Sequence, residues 1–185
     1  MNFTQTKLKG CFFIEAVQHI DERGFFARTY CRHEFSEQGI EFDFVQCNTV
    51  VNSRKGTLRG MHYAYGSAES KLVRCTKGKV FDVAVDLRPD SATFLEWVGY
   101  ELNDKDQAML FIPPDFAHGY ISLVDNAELF YQMGDFYEPT VARGFRWNDP
   151  TVSIDWPMEP LVVSERDATL PYVTDLKLIS PQALE

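Results

Sequence analysis

The stretch Lys71 to Leu87 constrains this chain more than any other. Phe81, Val83, Val85 and Leu87 alternate with Val80, Asp82, Ala84 and Asp86, the period-2 pattern of a β-strand with two unlike faces. Leu72-Val73-Arg74-Cys75-Thr76 reads as a second strand just before it. Lys77-Gly78 sits between them, and glycine tolerates the positive φ that tight turns require. The stretch is therefore expected to be a β-hairpin, Lys71–Asp86, forming a rigid platform with His62 just upstream.

Further strands are expected at short spacing on either side. They are a first strand within residues 1–20 that carries the apolar Cys11-Phe12-Phe13-Ile14, then Phe25–Tyr30, Phe44–Val51, Thr57–Tyr63, Glu96–Leu102, Ala108–Ile112, His118–Val124 and Glu128–Met133. Most are separated by turns carrying Gly, Pro, Asn or Asp, as in Asp21-Glu22-Arg23-Gly24. One helix is expected at Arg32–Gln38, closed by Gly39. Residues 134–160 hold four prolines and read as ordered loops, with a short helix near Ser164–Thr169. Many short strands with little helix point to an all-β sandwich or barrel. The length of 185 residues, with neither repeat nor linker, fits one domain spanning 1–185. The 15 Phe, 8 Tyr and 3 Trp suit a pleated core.

Charge and cysteine usage exclude some functions. A net charge of −9 argues against nucleic acid as a partner. No apolar run approaches the ~20 residues of a membrane span, so no membrane partner is expected. Cys11, Cys31, Cys47 and Cys75 lack CxxC spacing, and no signal peptide is evident, so reduced thiols in a cytoplasmic protein are expected. The closing Leu184-Glu185 carries no weight.

Four histidines are present, His19, His33, His62 and His118, with no HxH pair. No metal is expected, since a metal centre needs several converging ligands. A lone strand histidine is more often structural than catalytic. His62, however, has Arg59 three residues before it and Lys71 nine after, so cations gather where a sheet can face a pocket. A histidine base needs a carboxylate to fix its tautomer. Asp167 is a candidate that sequence alone does not join to His62. His118, after Ile112-Pro113-Pro114-Asp115, reads as a pocket-lining polar residue. Tyr131 is either core or a proton donor. Arg23 and Arg28, flanking Phe25-Phe26, suit a phosphate and a stacked base, and equally a solvated strand edge.

Taken together, these residues resemble the dTDP-4-dehydrorhamnose 3,5-epimerase family. The matching stretches run from Asp21-Glu22-Arg23-Gly24-Phe25-Phe26 through Thr57-Leu58-Arg59-Gly60-Met61-His62-Tyr63 and Lys71-Leu72-Val73-Arg74. They continue through Val80–Asp86, Phe116-Ala117-His118-Gly119, Tyr131 and Arg146-Trp147-Asn148-Asp149-Pro150. Ile154-Asp155-Trp156-Pro157 and Ser164-Glu165-Arg166-Asp167 close the series. The resemblance implies a cupin-like jelly roll, no cofactor, a homodimer exchanging N-terminal strands, and a nucleotide-linked 4-keto sugar as substrate. It implies His62 as base, oriented by Asp167, Lys71 at the enolate oxygen and Tyr131 as proton donor. Substrate contacts would come from Gln46, Asn48, Arg59, His118, Tyr137, Arg143 and Arg28, with Arg23 and Phe26 reaching the nucleotide of the neighbouring subunit.

Three positions depart from the family pattern. Arg28 stands where a nucleotide-contacting Glu is usual, His19 replaces an aromatic, and Ala142 replaces a Glu. The expectation is retained chemistry with altered recognition of nucleotide or sugar. The alternatives are a single-centre epimerase or ketoisomerase on another 4-keto sugar, and a silent sugar-nucleotide binding cupin.

Overall fold

The computed structural model describes residues 1–41 and 43–176; the closing Leu184-Glu185 lies outside the described residues. Fourteen strands are present among them: β1 (Asn2–Gln5), β2 (Phe12–Glu15), β3 (Gln18–Asp21), β4 (Gly24–Ala27), β5 (Gln46–Asn52), β6 (Thr57–Ala64) and β7 (Lys71–Lys77). Then come β8 (Lys79–Asp86), β9 (Trp97–Asn103), β10 (Met109–Ile112), β11 (Phe116–Ser122), β12 (Ala127–Met133), β13 (Ala142–Gly144) and β14 (Val162–Val163). The helices are short: α1 (Arg32–Ser36), α2 (Glu165–Ala168) and a 3-10 turn at Val173–Asp175.

Two sheets carry the fold. One runs β1-β2-β10-β7-β12-β5; the other runs β13-β6-β11-β8-β9, with β14 pairing β6. This is the jelly-roll, cupin-like sandwich that the sequence leads one to expect. Between the sheets lie Val73, Cys75, Val80, Ala84, Leu102, Leu110 and Leu129. The outer face of the first sheet is closed by α1, where Phe35 packs with Phe12, Ile14, Leu72 and Phe111. The outer face of the second is closed by the C-terminal segment, where Phe145, Val152 and Val173 meet Met61, Val83 and Val85.

The expected Lys71–Asp86 hairpin does not form. Strand β7 pairs β10 and β12, whereas β8 pairs β11 and β9 in the other sheet. Gly78, at φ +77°, turns the chain from one sheet to the other. The physical reason is that alternation identifies a strand and not its partner. Here β8 buries one face between the sheets and the other beneath the C-terminal segment, so both faces are needed for packing. Pro113-Pro114 makes a second such passage, from β10 to β11, and His118 stands third in β11 rather than opening it.

Other boundaries shift modestly. The first expected strand resolves into β1, β2 and β3, and the expected helix ends at Ser36, two residues early. Gly39 still takes the left-handed conformation (φ +73°) and donates to the Ser36 carbonyl. The turn at Asp21–Gly24 joins β3 to β4, a pair that forms its own two-stranded sheet. All four cysteines are free thiols, and burial pushes Cys11 up to about 12 and Cys75 to about 11. No helix of the described residues is long and apolar enough to cross a membrane.

Asp86 shows how the loop after β8 is held. Its buried carboxylate accepts from Arg88 at 2.8 and 2.7 Å, Ser91 at 2.6 Å and Thr93 at 2.7 Å. Burial works to raise this carboxyl, but the bonds from Arg88, Ser91 and Thr93 outweigh it and hold it below its ordinary value. A depressed folded value stabilises above the unfolded value and is lost as pH falls through the folded one. Asp86→Asn is therefore expected to cost about 2 kcal/mol at neutral pH. Denaturant unfolding should show the gap to the unsubstituted protein narrowing below about pH 4.

Candidate active site

A cleft of about 590 Å³ opens at one end of the sandwich, between the two sheets. The alternation of each strand decides what enters it. On β7, Val73 and Cys75 face inward, and Lys71 shares their parity. On β12, Leu129 faces inward and so does Tyr131, opposite Asn48 of β5. On β6, Met61 and Tyr63 pack outward, which turns His62 toward the cleft.

Arg59 lines the same cleft as His62, although residues three apart on a regular strand lie on opposite faces. A register shift explains this. His118 is opposite His62 and Tyr120 is opposite Arg59, so three steps along β6 match two along β11. The extra residue is a β-bulge, a device that re-aims side chains. Gly60 occupies it with φ +130°, and a Cβ there would lie 2.6 Å from the Gly119 Cα. Only glycine fits both the angle and the space.

Asp167 reaches the site by a separate route. Strand β14 runs parallel to the start of β6, with Val162 and Val163 beside Thr57 and Leu58. Ser164 then caps α2, its hydroxyl accepting from the Asp167 N–H at 3.1 Å. This sets Asp167 Oδ1 2.7 Å from His62 Nε2, and the Gly60 N–H donates to Oδ2 at 3.3 Å. Burial works to raise the Asp167 carboxyl; the His62 hydrogen bond and charge, with the Gly60 N–H, outweigh it and hold it low. A carboxylate can only accept, so Nε2 carries the hydrogen and the Nδ1 lone pair is left free.

Across the cleft, the Lys71 ammonium pairs with Glu69, and both side chains are about nine-tenths buried. Burial raises the Tyr131 phenol above its ordinary value; Glu69 adds to this and Arg59 opposes it. The phenol therefore stays protonated at neutral pH. A second histidine–carboxylate pair lies deeper, with His118 Nε2 2.9 Å from Asp82 Oδ2. Arg59 donates to Asn52 Oδ1 at 3.0 Å, and that oxygen also accepts from the Tyr120 hydroxyl at 3.3 Å. The Tyr137 N–H donates to Gln46 Oε1 at 3.2 Å, tying the loop after β12 to β5.

Gln46, Asn48, Arg59, His62, Lys71, His118, Tyr131, Tyr137, Arg143 and Asp167 thus meet in one cleft. Arg23, Phe26 and Arg28 are not brought to it within one chain. Arg23 pairs with Asp21 at the β3–β4 turn, and Arg28 pairs with Glu34 at 2.8 Å beside His19 and Phe26. Of the three positions expected to depart from the family pattern, His19, Arg28 and Ala142, only Ala142 lines the cleft. Sequence reasoning missed Asp82 and Glu69. A signal existed for Asp82, which shares the inward parity of Val80 and Ala84; Glu69 precedes β7, where strand parity does not reach.

Comparison with known proteins settles the lineage. A family model described as dTDP-4-dehydrorhamnose 3,5-epimerase matches residues 5–175. The chain belongs to this family. It is 46% identical over 169 residues to the Pseudomonas aeruginosa dTDP-4-dehydrorhamnose 3,5-epimerase, covering 90% of this chain and 93% of the relative. The Methanothermobacter thermautotrophicus relative of the same description is 42% identical over 168 residues, covering 89% and 90%. The crystal structure of a Legionella pneumophila 3,5-epimerase in complex with dTDP-4-keto-L-rhamnose superimposes with a TM-score of 0.90. That pair shares 37% identity over 96% of each chain.

Proposed function

We propose that this protein is an isomerase that epimerises a nucleotide-linked 4-keto-6-deoxyhexose, of the dTDP-4-dehydrorhamnose class, at carbons beside the C4 ketone. The observation that carries the reading is the His62–Asp167 pair. It leaves a free imidazole nitrogen on one wall of the cleft, with Lys71 and a protonated Tyr131 on the other.

The ketone acidifies the hydrogens on C3 and C5. The His62 Nδ1 lone pair removes one of them; the C–H electrons form the enolate C=C bond, and the carbonyl π electrons move onto oxygen. The Lys71 ammonium lowers the cost of that negative oxygen. Asp167 stabilises the imidazolium that forms on His62. Tyr131 returns a proton to the opposite face of the carbon, which inverts it. Arg59 and Arg143 supply positive charge for the diphosphate, while Gln46, Asn48, His118 and Tyr137 supply the polar contacts that orient the sugar.

We further infer a homodimer acting in the cytoplasm. The β3–β4 pair presents Ile20 at 78% and Phe26 at 70% exposure, an apolar surface suited to a second copy. On that copy, Arg23, Phe26 and Arg28 would complete the nucleotide end of the cleft. Light scattering tests this, and a monomer at working concentration would remove those three residues from the site.

Incubation with dTDP-4-keto-6-deoxyglucose in deuterated water tests the chemistry. Two deuterons in the recovered sugar are expected. One deuteron would make the protein a single-centre enzyme. None, with this or any other nucleotide, would leave a sugar-nucleotide binding protein. Exchange only with a different nucleotide would give Arg28, His19 and Ala142 their meaning.

A further inference from the structure

Glu69 is a carboxylate set into the wall of a cleft that otherwise suits an anionic substrate, and the chemistry above gives it no task. Its position is built rather than incidental. Ser67 Oγ donates to Asp135 Oδ2 at 2.7 Å and accepts from the Glu69 N–H at 3.0 Å. The Gly134 N–H donates to the Ser70 carbonyl at 2.9 Å. These bonds clamp the segment carrying Glu69 to the end of β12, the strand that carries Tyr131. Glu69 lies two residues before Lys71, the first residue of β7, and their side chains pair at 10% and 12% exposure.

A lysine has a long flexible stem, and holding it in one geometry removes freedom that would otherwise be lost when substrate binds. The ammonium has three hydrogens, so one can meet Glu69 while others remain for a ligand oxygen. We propose that Glu69 is a positioning residue: its carboxylate pins the Lys71 ammonium beside Tyr131, with the remaining ammonium hydrogens free for the substrate's ketone oxygen. The role at the ketone rests on the epimerase reading; the pinning does not. A consequence follows for the phenol. Burial and Glu69 both favour its protonated form, and Arg59 opposes them. The other titratable groups lining the cleft are Lys71, Tyr63, Tyr120, Tyr137, His118, Glu138, Arg143, Arg166 and the His62–Asp167 pair. Removing the Glu69 charge while keeping its shape lets the phenol ionise earlier.

The test compares Glu69→Gln and Glu69→Asp with the unsubstituted protein by rate of deuterium uptake across pH. Glu69→Gln is expected to lower kcat about tenfold and to move the alkaline limb to lower pH. Glu69→Asp keeps an anion, so its limb should stay in place while kcat falls, because the carboxylate is one methylene shorter. A merely structural role would lower both variants without moving the limb, and that result would overturn the proposal. A second readout needs no turnover: the phenolate absorbance titration of Tyr131, taken as the difference from a Tyr131→Phe partner. It should move down in the Glu69→Gln background. If the unsubstituted protein exchanged no hydrogen, the epimerase reading would fail, and this titration alone would decide the pinning. An unmoved titration sinks it.

Discussion

The His62→Ala variant is expected to lose about 10³-fold in deuterium uptake at both carbons, the scale of a lost general base. That corresponds to about 4 kcal/mol of transition-state stabilisation. Arg59, Arg143 and Gln46 remain in place, so affinity for the nucleotide sugar should change by less than about threefold, as read by calorimetry. The half-exposed His62 ring supports little of the core, so the thermal transition should hardly move. Asp167→Asn separates orientation from proton removal. An amide can donate toward Nε2, which forces the hydrogen onto Nδ1 and withdraws the lone pair from the substrate side. Its loss should be about 10²–10⁴-fold. Full uptake with His62→Ala would instead place the base elsewhere in the cleft.

The second large effect is expected on stability. Gly60→Ala puts a Cβ 2.6 Å from the Gly119 Cα and 3.0 Å from the His118 carbonyl, both backbone atoms that cannot swing away. It also forces a side chain into φ +130°. Together these should cost about 3 kcal/mol. For a chain of this size that lowers Tm by about 10 °C. Gly24→Ala is the internal control. Gly24 has a similar φ of +123° with nothing within 4 Å of the added methyl, so strain acts there without a clash. Its cost should be about 1–2 kcal/mol. If the two variants melted together, the close approach of β6 to β11 would not be what requires glycine. Gly60→Ala should lose activity as well, because the bulge aims Arg59 and His62 together and the Gly60 N–H helps hold Asp167.

The site was legible in part, and the boundary has a physical cause. Strand β8 was plain from its alternation, and turn chemistry marked Asp21–Gly24 and Gly39, because these signals are local. The inward set Lys71, Tyr131 and Asn48 follows from parity once strands are known. Parity would have put Arg59 and His62 on opposite faces, and only the register shift against β11 reverses that. The Lys71–Asp86 hairpin failed for a related reason: a turn glycine permits a tight return but does not oblige two strands to share a sheet.

By itself, then, the sequence determined which segments are strands, that a β-sandwich or barrel can be built from them, and which residue types carry the chemistry. It did so because period, turn residues and motif order are written in neighbouring positions. Tertiary structure alone decided that β7 and β8 lie in opposite sheets, and that α2 brings Asp167 to 2.7 Å from a histidine 105 residues away. It also decided that Glu69 shares the cleft with Tyr131. Those arrangements depend on which strands hydrogen-bond and where a bulge falls, and long-range packing of the whole chain sets both.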